Sequence, residues 1–271
     1  MRLEFMPYIL RDRVANLKVR VLLFVHELLT DAVLIVVNER PHVSAATQAE
    51  VARLWDEEQG RRTTPMVNGA ILSALVVSPS RIVGRIAEYR EYLAQKVRPQ
   101  LYEVLRVRPV AVSGILECPQ GLVFGKRGVD VTDSAGSWEL VPSGGIDMSG
   151  RTAEQGADYR AQLAAELREE IGISLDVVEA LVPICAVEDE ITHVLDIGVA
   201  ITTSLSLERL REAHRAAESA EYSEILAIPR TAFEDFAKAC GEHLLPASAE
   251  LVRQLFRHRT AISESKTGES P

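Results

Sequence analysis

Three short apolar runs crowd into residues 108–145, and each is cut off before a helix could form. They read "RPVAVSGILEC", "GLVFGKR" and "SWELVPSGG", separated by Gly, Asp and Pro. Runs of this length, rich in Val, Ile, Leu and Phe and bounded by turn residues, are strands. One long helical stretch follows, and further strands are expected near 178–187 and 194–204. Strands on both sides of a single helix restrict the fold to an α+β sandwich. A helix near 206–219, the strand "EILAIP", the helix "RTAFEDFAKAC" and an amphipathic helix near 247–258 complete this part. The polar tail 259–271, "RTAISESKTGESP", is expected to be disordered.

The first 104 residues read as a separate α+β region. "KVRVLLFV" and "AVLIVV" are strands. Ser44 caps a helix that stops at Gly60, two strands follow across residues 65–86, and "AEYREYLAQKV" is a short helix. The domain plan is therefore an N-terminal region over 1–104 and a second domain over 105–258. Glu4, Arg11 and Asp12 interrupt any apolar leader, and no apolar run is long enough to span a bilayer. A formal charge of −9 without a long basic run argues against nucleic acid as partner. Cys118, Cys185 and Cys240 lie far apart and form no CxxC, so the chain suits a reducing cytoplasm. Oligomeric state is not legible.

The long helix carries the chemistry. Thr152 and Gln155 have capping-box spacing, so the helix is expected to run from Ala153 to Ile171, with Gly172 as a left-handed stop. Glu166, Glu169 and Glu170 then share one face. Like charges at this spacing cost a helix roughly 0.2–0.5 kcal/mol per pair. Either a divalent cation compensates them or they form an ordinary solvated face. Oxygen ligands of this kind suit Mg²⁺ or Mn²⁺.

The sequence from the Gly144–Gly145 turn into "E-L-x-E-E-x-G-I" resembles the Nudix box, Gly-x5-Glu-x7-Arg-Glu-U-x-Glu-Glu-x-Gly-U with U aliphatic. Glu166, Leu167, Glu169, Glu170, Gly172 and Ile173 match its second half in register. The first half departs. The spacer from Gly145 is too long, and Ala165 stands at the arginine position. The early glutamate falls on Arg151 or Ala157, depending on the end counted from. "PMVNGA", "YREYLAQ" and "LVFGKR" are similar to segments of the Nudix hydrolases of UDP-glucose and UDP-galactose, which also have a long N-terminal region and an altered box.

The resemblance implies a mixed sheet between helices and Mg²⁺-dependent hydrolysis of a nucleoside diphosphate sugar to a nucleoside monophosphate and a sugar 1-phosphate. It implies Glu166, Glu169 and Glu170 as metal ligands and catalytic residues, the Gly145 carbonyl as a further ligand, and Glu224 as an acidic residue joining from a late strand. Arg160 or Arg168 would stand in for the box arginine. Lys126 and Arg127, after a strand, are candidates for holding phosphate or are ordinary surface charge. Glu188, Asp189 and Glu190 are a solvated loop or supply a general base. Two rivals stay open: a Nudix hydrolase of another diphosphate such as ADP-ribose, and a Nudix-fold nucleotide sensor without turnover.

Overall fold

The structure is a computed structural model that describes residues 22–62, 65–129, 131, 134–217 and 221–267, and side chains up to 260. The reading of residues 1–21, including the start of the first expected strand, lies outside the described residues, as do residues 268–271.

The N-terminal part gives β1 (Leu23–Glu27), β2 (Val33–Val37), α1 (Ala45–Gly60), β3 (Ala70–Ser78), β4 (Arg81–Glu88), α2 (Tyr89–Val97) and a single turn, α3 (Tyr102–Leu105). Ser44 caps α1 as its sequence predicts: the Thr47 N–H donates to its Oγ at 3.1 Å. β5 (Val110–Cys118), β6 (Gly121–Arg127), β7 (Trp138–Leu140), β8 (Ser143–Gly145) and α4 (Tyr159–Glu166) follow. β9 (Ala180–Asp189), β10 (Leu195–Thr202), α5 (Leu207–Ala217), β11 (Tyr222–Ile228), α6 (Phe233–Cys240) and α7 (Pro246–Thr267) complete the chain.

One mixed sheet runs β1-β9-β10-β5-β6-β11, with β8 added on β5 and β7 on β6. Its side chains alternate between two cores. Val110, Val112 and Leu116 of β5 and Ile197, Val199 and Ile201 of β10 pack with Leu163, Leu167, Ile171 and Leu210 from the α4 and α5 side. Ile115, Leu122, Phe124 and Val187 pack with Phe233, Leu251 and Leu255 from the α6 and α7 side. The result is the α+β sandwich read from the sequence. Each fully buried leucine in these layers contributes about 1.5–3 kcal/mol.

A small sheet, β2-β4-β3, carries α1 and α2. The boundary at residue 104 does not separate it from the sandwich. β1 pairs with β9 inside the large sheet, and Leu72, Ala74 and Ile82 of the small sheet belong to the α4-side core. Backbone bonds also cross: Leu72 N–H to Ile146 O at 3.1 Å, Ala74 N–H to Arg108 O at 2.8 Å and Met148 N–H to Ala70 O at 2.8 Å.

Two helices depart from expectation. The Thr152–Gln155 capping box forms, but it closes only a 3₁₀ turn, Ala153–Gln155. Gly156, at φ 67°, ends that turn, and the helix proper starts after Asp158, whose side chain accepts from the Arg160 N–H. The last helix runs to Thr267, past the expected stop near His258, so the tail is helical over 259–267. No Gly or Pro interrupts it before Gly268. Among the described residues no helix is long and apolar enough to cross a membrane.

Candidate metal and diphosphate site

Leu163, Leu167 and Ile171 form an apolar stripe at four-residue spacing, each with no exposed surface. An α-helix turns every 3.6 residues, so this stripe would drift sideways along a straight helix. Over Leu167–Ile171 the helix widens into a π-turn, and the stripe stays on the core. Glu166 and Glu170 each precede a stripe residue and therefore stay aligned. Glu169 is rotated out and exposed.

The two aligned carboxylates land on β8. The Ser143 N–H donates to Glu170 Oε2 at 3.0 Å. Glu166 sits so close over Gly144 that a Cβ there would overlap its carboxylate. Glycine is needed at 144 because the strand backbone itself is the contact surface. Gly145 is open, with no heavy atom within 4 Å of where a Cβ would stand, so a ligand can approach that end of the strand. Gln162 Nε2 donates to Glu166 Oε1 at 2.7 Å, while its Oε1 accepts from the Asp147 N–H at 3.3 Å.

The cluster extends beyond the helix. Glu139 on β7 is 4% exposed and is paired with Arg127, and the Tyr222 hydroxyl donates to it at 3.1 Å. Arg127 Nη2 also reaches Glu221 at 2.7 Å. Burial, with the charges of Glu166, Glu139 and Glu221 added, pushes the Glu170 carboxyl up to about 9. Burial pushes Glu139 up to about 7 against the pull of Arg127. Glu166 is raised by burial and by Glu169, Glu221 and Asp147. Without a cation, Glu170 therefore holds a proton at neutral pH. His214 secures the backbone beneath, with Nδ1 2.7 Å from the Glu170 carbonyl and Nε2 3.1 Å from the Tyr222 carbonyl.

The other sequence candidates sort themselves by what they touch. Glu224 is exposed on β11, in register with Lys126, and the acidic residue of this region that acts on the cluster is Glu221. Lys126 lies 5.8 Å over the Trp138 ring. Arg127 is a half-buried partner of two carboxylates, which places it on the floor of the cluster. Neither proposed stand-in for the box arginine faces the glutamates. Arg160 Nη2 donates to the Thr30 carbonyl at 2.7 Å, and Arg168 is exposed. Glu188 belongs to β9, where Arg108 holds it by two bonds of 2.7 Å and His26 by one of 3.1 Å. Asp189 Oδ1 accepts from the Ile191 and Thr192 N–H groups. Both carboxylates are thus engaged within the fold. Sequence reasoning misses Glu139 and Tyr222 because neither belongs to a motif: Glu139 is a lone acid in a short apolar strand, and Tyr222 opens β11. The one sequence signal for Glu139 is an acid inside the otherwise apolar run "WELV".

Among the described residues, no three His, Cys, Asp or Glu side chains stand close enough together to enclose a metal ion. The donor set is nonetheless suited to a hard divalent cation. It consists of carboxylate oxygens under mutual repulsion beside an open glycine backbone.

No known family's sequence profile matches the chain, and no curated protein sequence matches it. Among solved structures it is similar to the DR0079 protein of Deinococcus radiodurans, at 17% identity and TM-score 0.39, over 54% of this chain and 82% of that one. It is also similar to the E. coli ORF135 protein, at 17% identity and TM-score 0.35, over 56% and 91%. A third is the NUDIX domain of Shewanella oneidensis NrtR, solved with ADP ribose, at 16% identity and TM-score 0.37, over 57% and 89%. These scores describe partial overlap of folds.

Proposed function

We propose that this protein hydrolyses a nucleoside diphosphate derivative with Mg²⁺ or Mn²⁺ at the Glu166–Glu170 cluster, and that its substrate is a UDP-hexose. The observation that carries this reading is the pair of glutamates laid against Gly144 and Ser143, one of them with a carboxyl raised to about 9 by burial and three neighbouring acids. Such a group is poised to exchange its proton for a cation.

When bound, the cation neutralises the diphosphate and acidifies the attacking water. Glu166 and Glu170 would hold it, with Glu169 as the exposed third carboxylate and the Gly145 carbonyl as a further oxygen. The Ser143 N–H orients Glu170, and Gln162 orients Glu166. Arg127 and Tyr222 fix Glu139 behind them. They act as positioning residues, while substrate enters from the Gly145 side. The UDP-sugar assignment draws support from the segments at 65–70, 89–95 and 122–127 that are similar to that subgroup. A cytoplasmic setting accords with the three free cysteines.

A nucleotide sensor without turnover is the second reading, favoured by Arg127 being committed to carboxylates while Ala165 supplies no other guanidinium. A panel of UDP-glucose, UDP-galactose, ADP-ribose and nucleoside triphosphates with Mg²⁺, read by product chromatography, tests both. UDP-sugars are expected to turn over fastest. A tenfold lead for ADP-ribose, about 1.4 kcal/mol of transition-state preference, would overturn the substrate assignment. Ligand-linked stabilisation with no product from any of them would establish the sensor.

A further inference from the structure

A cavity of about 290 Å³ opens beside the small sheet, between β4, the start of α2 and the segment leading into α1. None of the acidic-cluster residues lines it. Its walls are partly apolar, from Val43, Val51, Ile86 and Leu105. Arg40 and Arg85 also face it.

Arg85 is the unusual group. It projects from the middle of β4 and is only 4% exposed. The fold engages its guanidinium through one bond: Nη2 donates to the Leu105 carbonyl at 2.8 Å. Among the described residues no carboxylate comes within the 4.0 Å of an ion pair. A guanidinium carries five N–H donors in a planar fork, and burying its charge without a counter-ion is costly. The acids nearby are engaged elsewhere. Glu88 takes Arg90 at 2.7 Å and Asn68 Nδ2 at 2.7 Å, and Glu91 Oε2 accepts the Glu88 N–H at 3.0 Å. Glu91 and Glu39 act on Arg85 only through space, and Arg40 repels it. Arg40, Arg85 and Arg90 against Glu88 and Glu91 leave the lining at +1 (three minus two), in a chain of net charge −9.

We propose that this cavity binds a small organic anion, an apolar body bearing one phosphate or carboxylate that the Arg85 and Arg40 guanidinium groups receive. Two arginines lining one cavity whose wall is partly apolar match such a ligand in both halves. Glu88 and Glu91 also line the cavity, but the capping box of α2, in which they bind each other's backbone, engages both carboxylates.

Phenyl phosphate and benzoate are the probes, titrated calorimetrically into the full chain in EDTA at fixed NaCl. Without a cation the acidic cluster repels anions, so the two sites separate, and the outcome does not depend on the proposed hydrolase activity. At least one probe is expected to bind. Arg40→Gln should weaken it by about threefold or more, the scale of a partly exposed charge pair, and Arg85→Gln should weaken it further. Arg40 is exposed, so its variant keeps the test decisive even if Arg85→Gln fails to fold. Glu170→Gln should bind the probes as the parent does. No binding of either probe to the parent overturns the site, as does a smaller change in Arg40→Gln. A loss confined to Glu170→Gln overturns it too.

Discussion

Glu170→Gln is expected to lower turnover by more than about 100-fold, beyond the 10–100-fold typical of groups that only support a metal ligand. The amide keeps the shape and can still accept from the Ser143 N–H, but it cannot give a cation a negative oxygen. Stability should behave in the opposite sense. The parent's Glu170 holds its proton up to about pH 9, whereas an unfolded glutamate releases it near pH 4.5. Between those values the folded state binds more protons, so the metal-free parent loses stability as pH rises. Glutamine does not titrate, so the variant lacks this slope and should gain on the parent progressively from pH 5 to 9. Melting curves across that range, beside a turnover assay, check both halves. An unchanged rate and parallel pH profiles would remove Glu170 from the proposed metal site.

Above pH 7, where Glu139 is ionised, Arg127→Ala is expected to cost up to about 3–5 kcal/mol of stability, the usual effect of removing one partner from a buried ion pair. Glu139 would stay buried with the Tyr222 hydroxyl, and the Arg127 bond to Glu221 would be lost. Here too pH carries a signature. Glu139 is already raised to about 7 with Arg127 in place, and losing the guanidinium lifts it further. Below pH 7 both proteins keep the Glu139 proton when folded, so their stabilities should run parallel. Above pH 7 the parent's Glu139 is ionised in both states, while the variant's still resists ionisation when folded. The deficit should therefore widen as pH rises beyond 7. Chemical denaturation at pH 6 and pH 8.5 measures it. A deficit under about 0.5 kcal/mol, ordinary for a surface site, would mean that Arg127 is a surface charge after all.

The strand and helix order was legible because each run carries its own punctuation. Ser44 before α1 and Gly172 after the acidic helix act through local geometry that the sequence states directly. The break at Gly156 was harder to read, because a capping box and a glycine compete within five residues and only the glycine's positive φ decides. Glu166 and Glu170 were visible through their spacing, yet the separation of Glu169 was not. It depends on the π-turn, which the four-residue core stripe imposes through packing and which helical periodicity does not report. Glu139, Glu221 and Arg127 come together only because β6, β7 and β11 are neighbours in the sheet. No local pattern encodes that adjacency, so the sequence points to Glu224 and not to Glu221. The joining of β1 to β9 across the large sheet is likewise a long-range pairing.

The most direct measurement is a calorimetric titration of Mg²⁺ into the EDTA-treated protein at pH 7, run in two buffers of different ionisation enthalpy. The account predicts saturable binding with release of about one proton per cation, because Glu170 must give up its proton to become a ligand. It also predicts a matching rise in melting temperature, worth about 2.7 kcal/mol at a hundred times the dissociation constant. In Glu170→Gln both the affinity and the proton release should fall away. No binding at millimolar Mg²⁺, or equal binding and equal proton release in the two proteins, would contradict a metal site at Glu166 and Glu170.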